Sequence, residues 1–142
     1  MKSKILKTLV AAAFITFGAT QITFAQCDKT VMLTSSETSF LDDKGEVTRT
    51  KAEDVKVTIT PTDITIEPGD DPQMSGKITS KTCDWKVPYK EGKTVIKSTI
   101  SGQGDDKHIT VTIEGKGGKV TLLFEAEEMK GKKIQVVADK FE

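Results

Sequence analysis

The sequence predicts an all-β domain: a single antiparallel meander, closing as an up-and-down barrel or, failing that, folding as a two-sheet β-sandwich, preceded by a signal peptide. Three observations carry this. Apolar residues alternate with period two from Thr30 onward, turn residues interrupt the alternation at short intervals, and the only helix-forming stretch after the leader, Glu125 to Lys130, is too short for more than a turn or two.

The chain opens with Lys2, Lys4 and Lys7, followed by an apolar run from Leu9 to Phe17 and no charge before Asp28, the profile of a secretory signal peptide. Thr16, Gly18, Thr20, Gln21 and Thr23 dilute this segment below the roughly 20 apolar residues that a membrane span requires. Thr23-Phe24-Ala25 places small residues where signal peptidase reads, so cleavage is expected between Ala25 and Gln26. Cys27 stands where a lipoprotein would carry its lipidated cysteine, but Gln26 is the wrong residue directly before it. A lipid anchor at Cys27 is therefore not expected. The organisation is a signal peptide over 1–25 and one exported β-domain over 26–142, periplasmic or secreted, with no membrane span after cleavage.

Removing the leader leaves 117 residues, enough for one domain. Three of the 21 basic residues and none of the 21 acids lie in the leader, so the remainder carries 18 basic against 21 acidic residues, a formal charge of −3. That balance argues against nucleic acid or an anionic membrane surface as a partner. Cys27 and Cys83 both survive cleavage, and an even pair in an exported protein is most simply one disulfide. Redox chemistry would call for Cys-x-x-Cys spacing, which is absent.

The clearest strand is Val55-Lys56-Val57-Thr58-Ile59-Thr60, with Val55, Val57 and Ile59 on one face. Ile64 and Ile66, then Ile96, Ser98 and Ile100, then Ile109, Val111 and Ile113 repeat the pattern, and outward threonines add strand propensity. Turn chemistry falls at Asp42-Asp43-Lys44-Gly45, Pro68-Gly69-Asp70-Asp71-Pro72, Gly102-Gln103-Gly104-Asp105-Asp106, Gly115-Lys116-Gly117-Gly118 and Lys130-Gly131. Gly45 and Gly118 stand where a hairpin needs positive φ. Between the turns lie segments 30–35, 38–41, 46–50, 55–60, 63–67, 73–82, 84–87, 93–101, 108–114, 119–126 and 133–140, some of them halves of one bent strand. From Met74 to Val87 the apolar parity changes: Met74, Gly76 and Ile78 share one face, Cys83, Trp85 and Val87 the other. A bulge near Ser80 to Thr82 is required if both sets face the core.

The stretch Cys83 to Gly92 holds the only Trp and the only Tyr. Trp85, Pro88 and Tyr89 are the candidate ligand or partner contacts, because aromatics beside a proline turn supply large contact area with a polar handle. The alternative for Trp85 is a core position packed on the Cys27/Cys83 bridge. Acidic turns around Gly45, at Asp70-Asp71 and at Asp105-Asp106 lack the ordered spacing of a calcium loop, so no metal is expected and backbone hydrogen bonding is their expected role. His108 is the single histidine and reads as a solvated turn residue, which leaves no zinc cluster and little basis for a catalytic triad. No phosphate or dinucleotide loop is present, and no cofactor is expected.

Lipocalin-like barrels are similar to this chain in strand rhythm and exported context, although no motif here carries a kinship with them. The architecture therefore points to a small, monomeric, non-enzymatic binding protein holding a small apolar or amphipathic ligand. The alternative is a structural or protein-interaction β-sandwich that contacts another exported protein of the periplasm or cell envelope.

Overall fold

The computed structural model describes residues 27–101 and 105–142. The leader, its cleavage point and the turn residues Gly102, Gln103 and Gly104 lie outside the described residues. The strands are β1 (Val31–Leu41), β2 (Val47–Ile59), β3 (Asp63–Glu67), β4 (Met74–Val87), β5 (Glu91–Ser101), β6 (Lys107–Lys116), β7 (Lys119–Ala126), β8 (Lys133–Val137) and β9 (Lys140–Phe141). Each pairs antiparallel with its sequence neighbour from β2 to β8, β8 pairs β1, and β1 also pairs β2. The sheet thereby closes into an eight-stranded barrel of meander order, and the sandwich alternative does not form. The two-residue β9 continues the line of β8 along the same edge of β1, with Leu33 opposite Phe141.

Period-two patterning sets the inside. Val55, Val57 and Ile59 of β2, Ile96 and Ile100 of β5, Ile109, Val111 and Ile113 of β6, and Val120, Leu122 and Phe124 of β7 are all buried. An eight-stranded barrel has an interior just wide enough to be filled by side chains or to hold one small ligand. Here aliphatic side chains fill most of it. Thr94 and Ser98 interrupt the apolar set on β5 without penalty, because Ser98 Oγ donates to the Lys77 carbonyl at 2.7 Å and Thr94 Oγ1 accepts from Trp85 Nε1, also at 2.7 Å.

Several predicted fragments prove to be single bent strands. Segments 30–35 and 38–41 are one strand with a register shift between Ser35 and Glu37, and segments 46–50 and 55–60 are the two ends of β2. The run Lys51-Ala52-Glu53-Asp54 resembles a loop in sequence, yet it lies within β2: Lys51 and Ala52 pair with Thr38 and Glu37 of β1, and Glu53 and Asp54 fall at the register shift beside them. On β4 the expected parity change occurs as a shift between Ile78 and Ser80, one residue upstream of the predicted position. A second shift between Trp85 and Val87 turns Val87 outward, where it is 41% exposed rather than facing the core with Trp85. The helix-forming stretch Glu125 to Lys130 adopts no helix. Strand β7 runs through Ala126, and turns follow in which Met129 N–H donates to the Ala126 carbonyl.

Turn chemistry explains the connections. Gly45 takes φ +84°, and Gly117 and Gly118 take +61° and +87° between the paired residues Lys116 and Lys119, the two-residue hairpin with both φ positive. Gly115 is not part of that turn, being a strand residue opposite Gly92. At the first hairpin Asp42 Oδ1 accepts from the backbone N–H of Lys44 and of Glu46, both at 2.9 Å, which is the backbone role expected of an acidic turn.

Candidate functional site

The barrel has two unlike ends. At one end lie the β1–β2 hairpin, the loop between β3 and β4, and the β7–β8 loop. Inward parity continues along β2 beyond the apolar core, so that Arg49, Lys51 and Glu53 follow Val55 and Val57 on the same face. Below them is a cavity of about 130 Å³ walled by Val55, Val57, Ile66, Leu122, Phe124 and Val136, with Thr38 and Glu53 among its lining. A shallower depression of about 230 Å³ adjoins it and shares Met74, Phe124 and Ile134.

Two polar atoms in this lining are buried without a hydrogen-bond partner among the described residues, Thr38 Oγ1 and Glu53 Oε2. The Glu53 side chain is only 7% exposed, and its nearest cation, Lys51 Nζ, stands 3.5 Å from Oε2 while also reaching Asp70 at 3.7 Å. Opposite, the Arg49 guanidinium lies 4.2 Å from the centroid of the Phe40 ring, covering it from the rim. The arrangement is an apolar chamber with a carboxylate and a hydroxyl on its wall and charges at its mouth. Sequence reasoning did not single out Thr38 or Glu53.

The other end is closed by the sequence-selected aromatics. Trp85 is fully buried, with its ring over the glycine pair: a Cβ at Gly115 would lie 2.7 Å from Trp85 Cζ3, and one at Gly92 would lie 2.4 Å from Trp85 Cα. The rings of Trp85 and Tyr89 both meet Phe141, with centroids 5.8 and 5.1 Å away. Pro88 and Tyr89 form the β4–β5 turn, closed by Lys90 N–H to the Val87 carbonyl at 3.0 Å. Tyr89 holds φ +63°, so proline followed by a positive φ gives the type II pattern. Cys27 and Cys83 form the expected disulfide, with Cα atoms 6.2 Å apart. Thr94 links it to Trp85, since its hydroxyl donates to Cys83 Sγ at 3.4 Å. Beside the bridge, Lys81 Nζ donates to the Cys27 carbonyl at 3.0 Å, and partial burial pulls the Lys81 ammonium below its ordinary pKa.

His108, expected as a solvated turn residue, is exposed but engaged. Its Nδ1 lies 2.9 Å from Glu128 Oε2, and its backbone N–H donates to Glu128 Oε1 at 2.9 Å. Hydrogen bonding and charge attraction from Glu128 raise the His108 pKa above 6.5, with Glu127 and Asp106 adding to the effect, while the same contacts lower that of Glu128. The His108 part of this stabilisation is present below the unfolded-state pKa and is lost as pH rises through the raised value. The Glu128 part is lost as pH falls through its lowered value. By two-dimensional NMR the His108 ring is expected to titrate above 6.5 and to fall back toward it in Glu128→Gln. An unchanged midpoint in that variant would contradict the pairing. Glu127 also brings a carboxylate oxygen within 4.8 Å of these ligand atoms, all on exposed residues.

The chain matched no protein-family model and no curated protein sequence. What defines its class is therefore the geometry itself: a closed eight-stranded meander barrel, consistent with a lipocalin-like barrel. Among the described residues no helix is long and apolar enough to cross a membrane. The Cys27–Cys83 bridge is compatible with an exported protein.

Proposed function

We propose that this protein is a small exported binding protein without enzymatic activity, periplasmic or secreted, whose barrel takes up a small apolar or amphipathic ligand at its charged end. The observation that carries this reading is the apolar chamber of about 130 Å³ between β1, β2, β3, β7 and β8. Its size sets the ligand class. An engineered protein cavity of about 150 Å³ with aliphatic and aromatic walls accommodates benzene, so the occupant is a single ring or a short chain rather than a long lipid or a tetrapyrrole.

Methyl NMR with toluene and 1-hexanol as probes tests this. Shifts are expected at Val55, Ile66 and Val136, with the methyl groups of Ile113 at the far side of the core unaffected. Absence of any saturable shift at the chamber residues, together with no co-purifying small mass in native mass spectrometry, would remove the reading. A second reading, an interaction domain for another exported protein, draws on the outer edge of β2. From Val47 to Val55 no strand among the described residues pairs with it. Arg49 and Lys51 on that segment are the charges by which sheet edges resist strand addition, which favours the ligand reading.

A further inference from the structure

Resting on the ligand reading above, we propose that the ligand is a compact protonated amine, its ammonium held by Glu53 and Thr38 and its apolar body seated in the chamber. A carboxylate withdrawn from water needs hydrogen-bond donors, and buried acceptors without them are rare in folded proteins. Glu53 Oε2 is such an acceptor, and among the described residues its only cation within 4 Å is Lys51 Nζ at 3.5 Å, close enough for attraction but not hydrogen-bonded to it. Thr38 Oγ1 is the second buried atom without a partner, and it faces the same chamber.

The register brings the two together. Thr38 is opposite Lys51 across the β1–β2 ladder, and Glu53 lies two residues further along the same inward face. Both side chains line the same cavity of about 130 Å³, so one small group seated there can meet both. An ammonium offers three donors and no acceptor, which suits a carboxylate oxygen and a hydroxyl lone pair; a carboxylate or phosphate ligand would meet Glu53 as a like charge. Lys51 is shared between Glu53 and Asp70, so it can remain on Asp70 when a ligand ammonium takes Glu53.

Benzylamine and ethylbenzene, nearly equal in shape and differing in the ammonium, separate the possibilities when titrated by methyl NMR. Glu53→Gln is expected to weaken benzylamine at least about tenfold while leaving ethylbenzene within about twofold, because a hydrogen bond to a charged group is lost and the apolar wall is kept. Thr38→Val is expected to weaken benzylamine by a smaller factor. Lys51→Met is expected to strengthen it, because the competing cation is gone, an effect of opposite sign that damage to the fold would not produce. Equal affinity of wild type and Glu53→Gln for benzylamine would overturn the amine assignment, as would binding of ethylbenzene alone, and either outcome leaves the chamber as an apolar ligand site. Failure of both probes to bind wild type would overturn the chamber reading itself.

Discussion

Trp85→Ala is expected to destabilise the domain by about 3 to 5 kcal/mol, the range for truncating a fully buried tryptophan. Its side chain is wholly inaccessible, and the glycines beneath it cannot fill the space left behind because they have no side chain to reorient. The loss also removes the hydrogen bond from Nε1 to Thr94 Oγ1 at 2.7 Å. Because this is the only tryptophan, unfolding must be followed by far-UV circular dichroism rather than by intrinsic indole fluorescence. The converse change tests the same contact from the other side. Gly115→Ala drives a Cβ to 2.7 Å from both Trp85 Cζ3 and the Lys90 carbonyl oxygen, and overpacking of this kind costs about 1 to 3 kcal/mol. Combining the two substitutions relieves the clash with the ring, so the double variant is expected to fall short of the sum of the single effects by about 0.5 kcal/mol or more. Strict additivity would mean that Trp85 does not rest on Gly115.

This closed end was only half legible in the sequence. Trp85, Tyr89 and Cys83 stand out by rarity, and export makes the Cys27–Cys83 bridge a natural expectation. The partners that give Trp85 its place do not stand out. Gly115 adjoins a true turn and reads as part of it; only the pairing Trp85–Gly92–Gly115 across β4, β5 and β6 shows that it is a glycine because a ring lies on it. Phe141 reaches the site through the terminal pairing with Leu33, which no local pattern announces.

The charged end shows the opposite balance. The alternation that identifies Val55, Val57 and Ile59 as inward-facing also places Glu53, Lys51 and Arg49 on that face. An acid continuing an apolar parity was therefore a signal present in the sequence. It was obscured because a run with three charged residues in four, Lys51-Ala52-Glu53-Asp54, resembles a loop, and a loop has no inward side. Thr38 is harder to find, since the register shift between Ser35 and Glu37 reverses the parity of β1 just before it. The His108–Glu128 pair joins residues 20 apart through a loop whose path depends on the tertiary fold.

Removing the disulfide is expected to have an effect of the same order as removing Trp85, by a different route. The bridge spans 56 residues, and constraining an unfolded chain over a loop of that length stabilises the native state by about 4 kcal/mol in the chain-entropy account. Small domains have about 5 to 15 kcal/mol in total, so this is a large fraction. The native barrel has a local need for the link as well. Strand β3 pairs with β4 from Met74 to Lys77, so among the described residues the second half of β4 is strand-paired to β5 alone, and Cys27 with the Lys81 ammonium ties its other side to the start of the described chain. The double variant Cys27→Ser/Cys83→Ser avoids a stray thiol and should unfold at a clearly lower urea concentration than the oxidised protein. Its m-value should be larger, because an uncrosslinked chain exposes more surface on unfolding. A lower midpoint with an unchanged m-value would instead place the effect in the folded state, through loss of the tie at β4. Hydrogen exchange separates the two routes: release of the unfolded chain lowers protection throughout the core, whereas loss of the tie lowers it first between Ser80 and Val87. An unchanged midpoint would show that the bridge does neither.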